Sequence, residues 1–158
     1  LYERRHTREI SAYGGLARVI PVFSLILVVT SLASIGLPGL NGFVGEFLVL
    51  LGSFQRHPQA TGIATTGVIF AAAYLLWALQ RLLFNRLDNP ENEHLTDLTA
   101  RELWVVLPLV AGMVWLGLYP KPVLDRTDAA AKHYVRMVQS ARERLPETAL
   151  MHPEAPRP

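Results

Sequence analysis

One carboxylate stands alone in a long apolar setting, and its type and position suit it to moving protons. Glu46 lies in the run Leu37-Pro38-Gly39-Leu40-Asn41-Gly42-Phe43-Val44-Gly45-Glu46-Phe47-Leu48-Val49-Leu50-Leu51-Gly52, and it is the only charge between residues 19 and 55. An acidic side chain at the centre of a membrane helix costs about 2.5–3.5 kcal/mol on insertion scales, so such residues face a polar interior or mark an ion path. Removing a carboxylate from water favours its protonated form, which fits a group that takes up and releases protons. One helical turn away on either side stand Gly42, Phe43, Val49 and Leu50, all small or apolar. The plainer reading is a structural carboxylate at a segment end, paired or reaching to the interface.

Four apolar segments must position it, at 19–37, 40–55, 60–84 and 102–120. A helix of 19 residues covers about 30 Å, the thickness of membrane hydrocarbon. Pro21 falls in the first turn of the first segment, where a missing N–H does little harm. The second segment is short, carries Glu46 and contains Gly42, Gly45 and Gly52, a pattern that points to a discontinuous helix lining an ion site. Gly36-Leu37-Pro38-Gly39 reads as a sharp turn before it. Ser24, Thr30, Ser31 and Ser34 suit bonds to their own helix backbone. Gln80 and Arg81, with Trp77 and Tyr74 nearby, suit an interfacial anchor at the end of the third segment. Thr99 and Glu102 have capping-box spacing ahead of the fourth. Residues 1–18 read as the end of a preceding helix and a loop, and 85–100 as a polar connection. Residues 121–145 are expected to form an amphipathic surface helix, too charged to span, and the proline-rich 146–158 a disordered tail.

Composition agrees with a polytopic membrane protein. The 158 residues are 51% hydrophobic and 18% charged, against about 25% charged in soluble domains. There is no Cys, which excludes disulfides and Cys-ligated iron–sulfur clusters within these residues. The five His fall outside the apolar segments, so no intramembrane His relay is built from them. No phosphate-binding glycine loop, metal-ligand cluster or Ser/His/Asp constellation is present. Counted over four crossings, the Lys/Arg bias places both termini in the cytoplasm.

Tyr2-Glu3-Arg4-Arg5-His6-Thr7-Arg8-Glu9-Ile10, Tyr13-Gly14-Gly15-Leu16-Ala17, Leu37-Pro38-Gly39, Asn41-Gly42-Phe43-Val44-Gly45-Glu46-Phe47 and Gly52-Ser53-Phe54 closely resemble the subunit M family of bacterial NADH-quinone oxidoreductase (respiratory complex I). Its mitochondrial homologue is complex I subunit 4. The likeness continues through Gly117-Leu118-Tyr119-Pro120-Lys121-Pro122-Val123-Leu124-Asp125 to about Leu145. It implies an all-α polytopic transmembrane helix bundle. The chain would supply the last four helices of a 14-helix antiporter-like, proton-translocating subunit, with the preceding helix cut at Leu1, one discontinuous helix and a surface helix.

The resemblance further implies that Glu46 is the proton-transfer carboxylate of that discontinuous helix. Sister subunits L and N, and Mrp-type antiporters, usually carry Lys at this position. The family's other key charges lie upstream of these residues. NAD, FMN, iron–sulfur clusters and quinone would be bound by other subunits, leaving no cofactor or redox chemistry here. The expected partners are the neighbouring antiporter-like subunits L and N and the lipid bilayer, in the bacterial inner membrane. The resemblance places 85–100 in the cytoplasm and the surface helix on the periplasmic face, against the charge count. Two other readings stay open: a subunit of a Mrp-type cation/proton antiporter or membrane-bound hydrogenase, and a purely structural membrane scaffold.

Overall fold

Pro21, Pro58 and the Thr99/Glu102 pair mark where the apolar helices begin. A computed structural model describes residues 1–144 of the chain; the expected tail 146–158 lies outside the described residues. Every element among them is helical. They form two compact units, divided after Pro120.

The first unit opens with short turns, α1 (Tyr2–Arg5), a 3-10 turn at Ile10–Ala12 and α2 (Leu16–Val19). Four longer helices follow: α3 (Pro21–Ser34), α4 (Asn41–Arg56), α5 (Pro58–Leu79) and α6 (Ala100–Leu118). Gln80–Phe84 extends α5 as one π-helical turn. Pro21 and Pro58 sit at the first helical positions, where proline's fixed φ is already helical and its missing N–H is no loss. The capping box forms as its spacing predicts. Glu102 N–H donates to Thr99 Oγ1 at 3.4 Å, and Thr99 N–H donates to Glu102 Oε2 at 2.7 Å.

Lengths depart from the expected spans. Pro58–Phe84, 27 residues, and Ala100–Leu118, 19 residues, are the two described helices long and apolar enough to cross a membrane alone. Their most apolar windows are 6% and 0% buried, so they turn their apolar surface outward, unlike the core helices of a soluble domain. The segment expected at 19–37 is instead the turn α2 followed by a 14-residue helix, about 21 Å long. The segment expected at 40–55 is a 16-residue helix of about 24 Å, and it runs unbroken through Gly45 and Gly52. The interruption lies ahead of it, at 35–40, where Gly36 (φ 70°) and Gly39 (φ 96°) take left-handed conformations open to glycine at little steric cost.

The buried core sits at one end of the unit. Tyr13, Leu16 and Ile20 meet Leu79 and Leu83, with Phe23, Leu27 and Val28 packed alongside. The far end of α5 therefore lies beside the start of α3. At its near end α5 is joined to α4 through the single residue His57.

The second unit is described through α7 (Lys121–Arg144). Lys121 pairs with Asp125 at 2.9 Å and Lys132 with Asp128 at 2.5 Å, each one turn apart along the helix. Tyr134, Val135 and Val138 are exposed apolar residues that help give it an apolar face.

Candidate functional site

The site is the interruption between α3 and α4 together with Glu46. Three glycines bring the pieces together. A Cβ on Gly42 would overlap the Ala33 carbonyl, so the first turn of α4 lies directly against the last turn of α3. A Cβ on Gly117 would overlap the Gly39 carbonyl group and Leu40 Cα, so the end of α6 closes on the turn. Gly36 faces Glu46 itself. The carboxylate Oε2 occupies the space where a side chain at position 36 would begin.

Glu46 is half-buried, on the face of α4 turned toward the end of α3. Phe43 and Phe47, on an adjoining line of the same helix, stack at 5.4 Å. Among the described residues, no hydrogen bond or ion pair of the Glu46 carboxylate is formed within this chain. The expected hydroxyl behaviour holds for Ser24, Thr30 and Ser34, which donate to Ile20, Ile26 and Thr30 carbonyls at 2.8, 2.9 and 3.1 Å. Their hydrogens go back into their own helix. Asn41 is the exposed first residue of α4. Gln80 and Arg81 stand at the other end of α5, where the Arg81 guanidinium lies 4.2 Å from the centre of the Trp77 ring. They line a cleft of about 620 Å³ with Tyr13 and Phe84, apart from the carboxylate.

A polar latch holds the start of α3. Ile20, at the N-cap, supplies no side-chain acceptor. The carboxylate of Asp97 does so from the loop before α6, accepting from Val22 N–H at 2.8 Å and Phe23 N–H at 3.0 Å. Leu98 N–H adds a third bond at 2.8 Å. Burial pushes the Asp97 carboxyl up. The amides of Val22, Leu98 and Phe23 and the positive charge of Arg4 outweigh it and hold the group below its ordinary value.

Arg4 ties the N-terminal segment to the same loop, donating to the Asp97 carbonyl at 3.2 Å and to Glu102 Oε2 at 3.0 Å. Arg5 pairs with Glu91. The amides of Asn89 and Asn92 donate to the Ala12 carbonyl at 3.2 and 3.1 Å. Residues 1–16 and 85–102 thus form one bonded layer. The pattern of residues gives Asp97 no mark of its own. The available signal is negative: a helix beginning Ile-Pro-Val has free amides and no local cap.

The chain is similar to known membrane proteins. A family described as "NADH:quinone oxidoreductase/Mrp antiporter, TM" matches residues 1–71. NADH-quinone oxidoreductase subunit M of Rhodobacter capsulatus is 45% identical over 136 residues, covering 86% of this chain and 27% of that protein. NADH-ubiquinone oxidoreductase chain 4 of Marchantia polymorpha is 38% identical, covering 86% of this chain and 28% of its own length. Subunit M of Mycobacterium tuberculosis is 38% identical across 97% of the chain and 27% of its own length. Among solved structures, respiratory complex I from Thermus thermophilus with bound NADH matches with a TM-score of 0.70 and 37% identity, over 75% of this chain and 25% of the matched one. The chain spans about a quarter of the length of these relatives. Over that quarter it is a membrane-protein homologue of NADH-quinone oxidoreductase subunit M and NADH-ubiquinone oxidoreductase chain 4.

Proposed function

We propose that this chain is part of a proton-translocating membrane subunit of an NADH:quinone oxidoreductase, with Glu46 as an intramembrane proton-transfer carboxylate at a break in one crossing. The observation that carries the reading is the lodging of Glu46 against the α3–α4 interruption. A carboxylate there faces protein and freed backbone rather than lipid, the setting in which intramembrane acids serve ion paths. The family description also covers Mrp antiporters. The relatives named above are oxidoreductase subunits, which favours the respiratory assignment. The redox groups and quinone then belong to other subunits, the neighbours are the antiporter-like subunits L and N, and the location is the bacterial inner membrane.

The fold supports three crossings in place of the four expected. Residues before α3 and the loop after α5 bond to one another, so an even number of crossings separates them. Pro58–Phe84 supplies one. The other is α3 and α4 in series, about 21 and 24 Å long, each too short alone for about 30 Å of hydrocarbon. Arg4, Arg5, Arg8, Arg18, Arg86 and Arg101 then share one side, with Arg56 across the membrane from them. Lys121 and the basic residues that follow it in the sequence offset this bias, so the Lys/Arg count chooses neither side, and the family resemblance is what places the shared side in the cytoplasm. Outside this bundle, α7 is suited by its amphipathic face to a membrane surface or a neighbouring subunit.

The test is Glu46→Gln in the whole complex, reconstituted into vesicles. Assembly, NADH oxidation and proton pumping are measured separately. The expected result is an assembled complex with pumping reduced at least severalfold. Unchanged pumping would sink the proposal, and loss of assembly alone would favour a static ion-pair partner.

A further inference from the structure

We propose that Gly36 is a positioning residue for Glu46, reserving by its lack of a side chain the place where the carboxyl rests at the break. This rests on the reading of Glu46 as a proton carrier. A Cβ at position 36 would fall on Glu46 Oε2 and stand 3.1 Å from Cδ and 3.7 Å from Oε1. All three of its nearest neighbours are atoms of that one carboxyl group.

The other glycines around the turn meet different surroundings. Gly42 and Gly117 face backbone of the neighbouring element, so a methyl there must push the chain apart. A Cβ on Gly39 would meet only ordinary contact, with Leu118 Cδ2 at 3.9 Å. At Gly36 the obstacle is the far end of a flexible side chain. A methyl group is therefore accommodated by the carboxyl swinging off its place, leaving the helices where they are. Gly36→Ala displaces the group without pressing on a neighbouring element's backbone, and its cost to the frame is the left-handed strain at position 36.

Gly36 and Gly39 both have positive φ, 70° and 96°, so alanine at either position carries left-handed backbone strain. Gly39→Ala is thus a strain control, at least as strained at φ 96° but with the carboxyl untouched. The variants Gly36→Ala, Gly39→Ala, Glu46→Gln and Gly36→Ala/Glu46→Gln are compared in the whole complex, with assembly, electron transfer and protons pumped per electron measured for each. The expected result is that Gly36→Ala assembles and transfers electrons but pumps at least fivefold less. Gly39→Ala loses less pumping than Gly36→Ala, and Gly36→Ala adds no loss in the Glu46→Gln background.

Wild-type pumping by Gly36→Ala overturns the proposal. So does an equal loss in Gly36→Ala and Gly39→Ala, or a further loss in the double variant. Should Gly36→Ala fail to assemble, Gly36→Ala/Glu46→Ala decides. Assembly equal to that of Glu46→Ala supports the overlap with the carboxyl, and failure where Glu46→Ala assembles overturns it. Wild-type pumping by Glu46→Gln defeats the reading of Glu46 itself, a result separate from any of these.

Discussion

Val22 and Phe23 reach across to Asp97 because Pro21 and Ile20 leave their amides without a local acceptor. Replacing an N-cap acceptor by alanine costs about 1 kcal/mol, so Asp97→Ala is expected to loosen the first turn of α3 by that order. Amide hydrogen exchange at Val22 and Phe23 in the intact complex checks it. The pH dependence has a definite sign. Asp97 is depressed on folding, so its contribution is present above the unfolded carboxyl value of about 3.9 and is lost as pH falls below it toward the lower folded value. Protection of the two amides is expected to drop on acidification below about pH 4 in wild type and to show no such step in Asp97→Asn. A step retained in Asp97→Asn would assign the protection to another group. The contrast with Glu102 is instructive. Its cap on Thr99 is visible three residues away in the sequence, whereas the partners of Asp97 lie 74 and 75 residues away, beyond any local pattern.

At the scale of elements, packing at the interruption depends on backbone approaching backbone. Gly42→Ala and Gly117→Ala each place a methyl group on main-chain atoms of the adjoining segment, and overpacking of this kind costs about 1–3 kcal/mol. Both are expected to reduce the yield of assembled complex on native gels, where Gly45→Ala, which meets open space, is not. Hydropathy made the apolar helices legible, and proline positions made their starts legible. The joint between α3 and α4 was legible only as a turn. Gly36-Leu37-Pro38-Gly39 reads alike whether it returns the chain through the membrane or interrupts a single crossing. The difference is decided by where residues 85–102 come to rest, and that depends on contacts such as Arg4 with Glu102 and Asn92 with Ala12. A partly exposed ion pair contributes little to stability; here its value is positional.

For the whole molecule, the three-crossing arrangement makes a direct topological prediction. The chain has no cysteine, so single cysteines introduced at the exposed positions Glu9, Glu93 and Gln59 report sidedness without background from this subunit. In sealed vesicles of one orientation, Glu9→Cys and Glu93→Cys are expected to react with an impermeant thiol reagent from the same side, and Gln59→Cys from the other. Labelling of positions 9 and 93 from opposite sides would restore the four-crossing scheme. The single residue His57 between α4 and α5 also bears on how the protein is made. With so short a link, α4 cannot settle in the bilayer while α5 remains outside it. The helix bearing the costly charge enters together with a long apolar companion, as one hairpin whose favourable half offsets the unfavourable one.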